Sequence, residues 1–220
     1  MQWSDEGYLL SKTNYNENSI IIEAFTLNHG KYTGVVYGGS SRKQKRNFQI
    51  GNKVYLNWKS KNENKSGYFS MELIKPVAAN YFDDKKRTAS ILASSSILKI
   101  LLPERQINKK IYQSFEALIN QLESNDWIKL YIYWELSLIK ELGYEVDFLN
   151  INKDNLNDKV VIINNKSFKI PKILFDNKPA SIIDIKEALV FNKNLLIENF
   201  ILPNKLRFPL FRNILEKYYN

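Results

Sequence analysis

The spacing of apolar and polar positions changes period once along the chain, near Pro76. Before that point, short β-branched and aromatic runs occupy Gly7–Thr13, Ser19–Thr26, Tyr32–Tyr37, Lys53–Ser60 and Gly67–Ile74. Turn-forming residues separate them at Asn14–Asn18, Asn28-His29-Gly30, Gly38-Gly39-Ser40-Ser41, Gly51-Asn52 and Asn62–Ser66. Five short strands at this spacing predict a small antiparallel barrel or sandwich, and the length is that of an OB-like barrel.

After Pro76 the apolar residues recur at three and four. The repeats are Ile91, Leu92, Ile97, Leu98, Leu101 and Leu102 in 85–102, then Ile107, Ile111, Phe115, Leu118 and Leu122 in 107–123, then Trp127, Leu130, Tyr131, Trp134, Leu138 and Leu142 in 126–142. Each predicts a helix that buries one face. Asp126 is placed to cap the third helix and Gly143 to end it. From 150 to 180 the polar content rises around a hairpin pattern, Val160–Ile163 and Ser167–Ile170 about Asn164-Asn165. Helical spacing returns at Ile182–Phe200 and Phe208–Tyr219. The expected class is α+β: an N-terminal five-stranded OB-like β-barrel over 1–79, then an α-helical bundle domain over 80–220 with a small hairpin insert at 150–180.

Composition adds exclusions. The 220 residues are 44% apolar, enough to bury one large core or two small ones. With no cysteine and one histidine, His29, disulfides, thiolate catalysis and Cys- or His-cluster metal sites are excluded. The N-terminus reads as no Sec-type leader, and no apolar run approaches the ~18 residues of a membrane span. A cytoplasmic protein is expected.

Charge sharpens the picture. Nine of the basic residues, Lys31, Arg42, Lys43, Lys45, Arg46, Lys53, Lys59, Lys61 and Lys65, fall between 31 and 65 against one acid, Glu63, so this window carries nearly all of the net +9. The chain is rich in Lys (26) relative to Arg (6), and compositional drift would produce that, but drift raises Lys everywhere and does not strip acids from one window. A local basic patch points to a polyanion. Membrane-surface binding would call for an amphipathic helix, and this window reads as strands and loops.

No Gly-x-x-x-x-Gly-Lys, His-Glu-x-x-His, Gly-x-Ser-x-Gly or Gly-x-Gly-x-x-Gly pattern occurs, which argues against ATP-driven and zinc-hydrolytic chemistry. The paired acids Asp5-Glu6 and Asp83-Asp84 read as solvated caps at element ends, and His29 as a turn residue. The sharpest local signal is Gly38-Gly39-Ser40-Ser41-Arg42-Lys43-Gln44-Lys45-Arg46. Its glycines allow a tight turn and close approach to a ligand, and its cations can follow a phosphate chain. Aromatics interleave with the patch, and single-strand binders use such rings to stack bases. Tyr37, Tyr55 and Trp58 are the stacking candidates. Alternation puts Tyr55 on one face of its strand and Leu56 and Trp58 on the other, and either face could be outward.

The order of elements resembles the bacterial RecO family of DNA repair and recombination mediators. The matching residues are Gly7-Tyr8-Leu9-Leu10, the Glu17-Asn18-Ser19 turn, Phe25-Thr26-Leu27-Asn28-His29-Gly30-Lys31 and the Gly38-Gly39 step into a basic loop. Trp134-Glu135-Leu136-Ser137-Leu138 running to Leu142-Gly143-Tyr144 looks like that family's central helix, and Lys205-Leu206 through Arg212 like its closing segment. The resemblance implies an OB fold followed by a helical domain and a non-enzymatic activity. That activity is binding single- and double-stranded DNA, annealing complementary strands and helping to load the recombinase onto DNA coated by single-strand-binding protein. It implies RecR and the acidic C-terminal tail of single-strand-binding protein as partners, no cofactor, and association with the bacterial nucleoid.

Three departures stand out. Some members carry a four-Cys zinc module after the Leu-Gly-Tyr step, whereas 150–180 contains no cysteine, so zinc is not expected here. Tyr37 stands where a basic residue often precedes the Gly pair, and Ser40-Ser41 delays the first arginine. Ile132 and Tyr133 stand where basic residues often flank the central-helix aromatic. On this reading Lys31, Arg42, Lys43, Lys45, Arg46, Lys53, Lys59 and Lys61 neutralise phosphates. The alternatives are an adaptor that bridges single-strand-binding protein and RecR with little DNA role, and an RNA-binding OB protein.

Overall fold

The computed structural model describes residues 1–41, 47–61, 67–144, 160–175 and 179–220. The β half of the pattern folds as β1 (Gln2–Asn14), β2 (Ser19–Thr26), β3 (Gly30–Tyr37), β4 (Lys53–Lys59) and β5 (Gly67–Lys75). These close into a barrel in the order β1-β2-β3-β5-β4, antiparallel at every pairing except β3–β5. Helices follow, so the class is α+β with an OB-like barrel first.

Alternation decides the inside of the barrel. Ile20, Ile22 and Ala24 of β2, Val54, Leu56 and Trp58 of β4 and Phe69 of β5 form one buried cluster. Full burial of each large side chain contributes about 1.5–3 kcal/mol. β1 starts at Gln2, well before the Gly7 expected from the apolar run. Its first residues are mostly polar and are held as a strand by β4, in register from Gln2↔Lys59 to Tyr8↔Lys53. The second half of β1 pairs with β2, and a register shift between Leu9 and Ser11 bends the strand from one neighbour to the other.

The acids of β1 lie within the strand and are not caps, and of the two only Glu6 is exposed. Asp5 is buried, and its carboxylate accepts from the Asn28 backbone N–H (2.7 Å) and lies 3.0 Å from His29 Nδ1. His29 thus belongs to the β2–β3 turn, its ring stacked on Trp3 at 4.1 Å. Glu6 is paired with Lys53. Asp84 does act as a cap, accepting from the Lys86 and Arg87 backbone N–H groups.

The barrel closes through a short seam. Among the described residues β3 and β5 pair in parallel at Gly34↔Gly67 and Val35↔Tyr68. Two glycines are needed there because aromatic rings fill the space: a Cβ on Gly34 would lie 2.7 Å from the Phe69 ring, and one on Gly67 2.3 Å from Trp58.

The chain divides into two compact units, Met1–Gln113 and Ser114–Asn220. This division follows packing and is separate from the change of secondary-structure type near 79. The first unit holds the barrel, α1 (Val77–Asn80) and α2 (Lys85–Leu101), with α2 packed along β1. α3 (Lys109–Asn120) spans the division. The second unit holds α4 (Trp127–Glu141), the hairpin β6 (Val160–Ile163) and β7 (Lys166–Lys169), α5 (Ile182–Leu196) and α6 (Leu210–Lys217). The helix boundaries fall within a few residues of those expected, except that α5 gives way to a π-helical turn at Ile197–Ile201. Asp126 occupies the cap position of α4 without a side-chain cap bond, and Gly143 ends the helix at φ +96°.

The second unit is pinned by a polar cluster. Arg212 of α6 and Glu135 of α4 are both fully buried and form a two-point ion pair at 2.5 and 3.1 Å. Arg212 also donates to the Leu189 carbonyl (2.6 Å), while Tyr131 and Asn192 donate to the Glu135 carboxylate. Burial raises the Tyr131 hydroxyl well above the usual phenol range, and the neighbouring Glu135 carboxylate adds to it. The expected hairpin at 150–180 is present, turning on Asn164 and Asn165 in the left-handed region. Lys166 ties it to Glu198 at 2.6 Å. Among the described residues no helix is long and apolar enough to cross a membrane.

Candidate nucleic-acid interface

Arg42, Lys43, Lys45 and Arg46 lie outside the described residues. The flanks of that segment do not: Gly39 and Phe48 both line a cleft of about 330 Å³ on the barrel. The cleft forms because the seam is short. The described pairing ends at Val35 and Tyr68, and Val36, Tyr37, Phe69 and Met71 beyond it line the cleft.

The outward face of the barrel near this cleft is basic and aromatic. Lys59 at the end of β4 is exposed and stands directly across from Tyr68 on β5. Tyr68 in turn meets Tyr37 of β3, ring centroids 6.2 Å apart and planes at 53°. Tyr37 is 72% exposed and Tyr68 45%. Lys61, two residues beyond Lys59, is also exposed. Exposed rings beside cations are the components of a single-strand platform, in which rings take bases and ammonium groups take phosphates.

The same face changes character a few residues away. Tyr55 is outward and 40% exposed, but its cross-strand neighbours are Glu6 on β1 and Glu72 on β5. The Glu72 carboxylate beside the ring repels a polyanion, while the charge of Glu6 is offset by Lys53. Lys53, at the same end of β4, is half-buried with its ammonium 2.8 Å from Glu6.

Two of the expected residues are corrected by burial. Lys31 is 8% exposed, and its ammonium donates to the Lys99 carbonyl at 2.6 Å, in the last turn of α2. Burial lowers its pKa, while Glu23 and Glu104 oppose that shift. A cation so placed satisfies a helix C-terminus, so its ammonium is already committed. Trp58 is 2% exposed, inside the barrel, so it has no open ring for a base. Tyr68, one of the aromatics interleaved with the basic window but not among the stacking candidates, lies on this exposed face beside Tyr37. The available signal was its place at the start of a strand, immediately after Gly67 and the Asn62–Ser66 breaker, opposite a strand that ends in lysine.

The first unit's strands and the following helices match two family descriptions in succession: "Recombination protein O N terminal" over residues 1–77 and "Recombination protein O C terminal" over 83–150. A "DNA repair protein RecO" from Cereibacter sphaeroides is 30% identical over 212 residues, covering 89% of this chain and 88% of the relative. One from Roseobacter denitrificans is 33% identical over 168 residues, covering 76% and 70%. With both halves matched in order and nearly the full length of a relative covered, the chain belongs to the RecO family of DNA repair and recombination proteins.

Proposed function

We propose that this protein binds single- and double-stranded DNA, anneals complementary strands and assists recombinase loading onto DNA covered by single-strand-binding protein. The observation that carries this reading is the coincidence of one basic window with one exposed aromatic row, Lys59–Tyr68–Tyr37, on a barrel of the RecO family. Residues 1–79 serve as the DNA-binding domain and 80–220 as the helical domain. Lys59 and Lys61, with Arg42, Lys43, Lys45 and Arg46, neutralise phosphates of two strands at once. Annealing then needs charge neutralisation and proximity, with no bond made or broken by the protein, so no catalytic residue is assigned. RecR and the tail of single-strand-binding protein are the partners proposed on family membership, and the nucleoid is the proposed location.

The test is annealing of two complementary fluorescent oligonucleotides by the purified protein without nucleotide, across ~50–300 mM salt. If about six phosphates of a single strand are contacted, log K falls with log salt with a slope near −4, at ~0.7 ions per contact. Loss of annealing on replacing Arg42, Lys43, Lys45 and Arg46 with alanine is the expected result. Annealing unchanged by those four replacements would contradict it and favour an adaptor that holds its protein partners with little DNA contact.

A further inference from the structure

We infer that the cleft at the barrel seam is a receptor for one unpaired nucleobase, so that the barrel distinguishes exposed bases from bare phosphate backbone. The inference rests on the DNA-binding reading and adds to it the part of the nucleic acid that this cleft takes. At about 330 Å³ the cleft lies at the small end of ligand sites, which run ~300–1,000 Å³, and suits one flat ring system. Its floor is apolar: Phe48 and Phe69 belong to the buried barrel cluster and Met71 packs against it. Its rim carries Tyr37 and Tyr68, two exposed rings inclined at 53°. Rings at that angle are not a closed sandwich. One can stack on the face of a base while the other meets its edge, both favourable geometries for aromatic pairs.

The seam also supplies polar groups. Val36 and Tyr37 are bonded to β2 through Ile20 and Ser19 on one side, and the described parallel pairing on their other side ends at Val35↔Tyr68. A strand edge that faces a cleft presents backbone N–H and C=O groups, which can meet the hydrogen-bonding edge of a base. Lys59 stands across from Tyr68, which lines the cleft, and Lys61 is exposed two residues further along, so both can meet phosphates flanking an inserted base. A base inside a duplex has both faces stacked and its edge paired, so it cannot enter. The cleft therefore favours single strands and frayed ends at equal charge.

The experiment is fluorescence anisotropy with a labelled oligothymidylate and an abasic oligomer of the same length, using the full chain, the Tyr37→Ala/Tyr68→Ala variant and the Tyr37→Phe/Tyr68→Phe variant. Thermal melting of each variant checks folding, and both tyrosines are exposed. Base stacking at ~1–3 kcal/mol per base corresponds to a preference of about 5- to 150-fold for the thymidylate. The expected result is that preference in the wild type and the phenylalanine variant and its loss in the alanine variant, whose binding falls to the abasic level. Equal binding of both oligomers by the wild type, or a preference that survives in the alanine variant, would overturn the base receptor while leaving DNA binding intact. Absence of binding to either oligomer at ~50 mM salt would overturn the DNA-binding reading itself.

Discussion

Two positions on one strand's outward face have opposite neighbours. At one end of β4, Lys59 stands beside Tyr68 and, through it, Tyr37. Four residues earlier, Tyr55 on the same face stands between Glu6 and Glu72. Both positions show an exposed tyrosine, so exposure and aromaticity do not separate them. The neighbours do. A ring beside cations can share a polyanion with them, while a ring beside a carboxylate must bring that polyanion against like charge. On the proposed reading DNA binds at the Lys59–Tyr68–Tyr37 end, where Tyr37 and Tyr68 line the seam cleft.

The largest expected effect breaks the basic end. Replacing Arg42, Lys43, Lys45 and Arg46 with alanine removes up to four phosphate contacts, flattens the log–log salt slope by about 3 and weakens single-strand binding on the order of several hundred-fold near 0.1 M salt. A salt titration by anisotropy measures both. The aromatic pair comes next: Tyr37→Ala/Tyr68→Ala is expected to cost about 10-fold on a base-bearing strand with the salt slope unchanged. Glu6→Gln/Glu72→Gln works in the other direction, with a gain of about two- to fivefold at ~50 mM salt that fades by ~0.3 M as screening shortens the reach of charge. Tyr55→Ala is expected to change affinity less than about twofold. Arg212→Met, in the second unit, should leave DNA affinity of the folded protein unchanged. It strands the buried Glu135 carboxylate, with an expected loss of about 3–5 kcal/mol of stability in a urea titration.

Much of this was legible in the chain. β2, β3, β4, β5 and the helices follow from period two and periods three and four because their apolar residues face one core. β1 was legible only in part, since Gln2, Ser4, Asp5 and Glu6 show no apolar run and become a strand by pairing with β4. The side of β4 that faces outward was also readable in principle. Asn57 and Lys59 share the face of Tyr55, and Val54, Leu56 and Trp58 make up the other.

The roles of individual cations were less legible. Lys31 looks like any member of a basic window, and only the α2 carbonyl waiting at Lys99 turns it inward. The pairing of Arg212 with Glu135 joins residues 77 apart in sequence, a relation no local pattern carries. Tyr68 required knowing that β5 lies beside both β4 and β3, which is a matter of topology.

The central claim is that DNA lies on the lysine–tyrosine end of the barrel and not on the carboxylate end. It is tested most directly by backbone amide NMR shifts of the full chain titrated with a short oligothymidylate. The largest shifts are expected at Tyr37, Lys59 and Tyr68, with Tyr55 and Glu72 unmoved. Shifts concentrated around Tyr55, Glu6 and Glu72, with the seam silent, would contradict it.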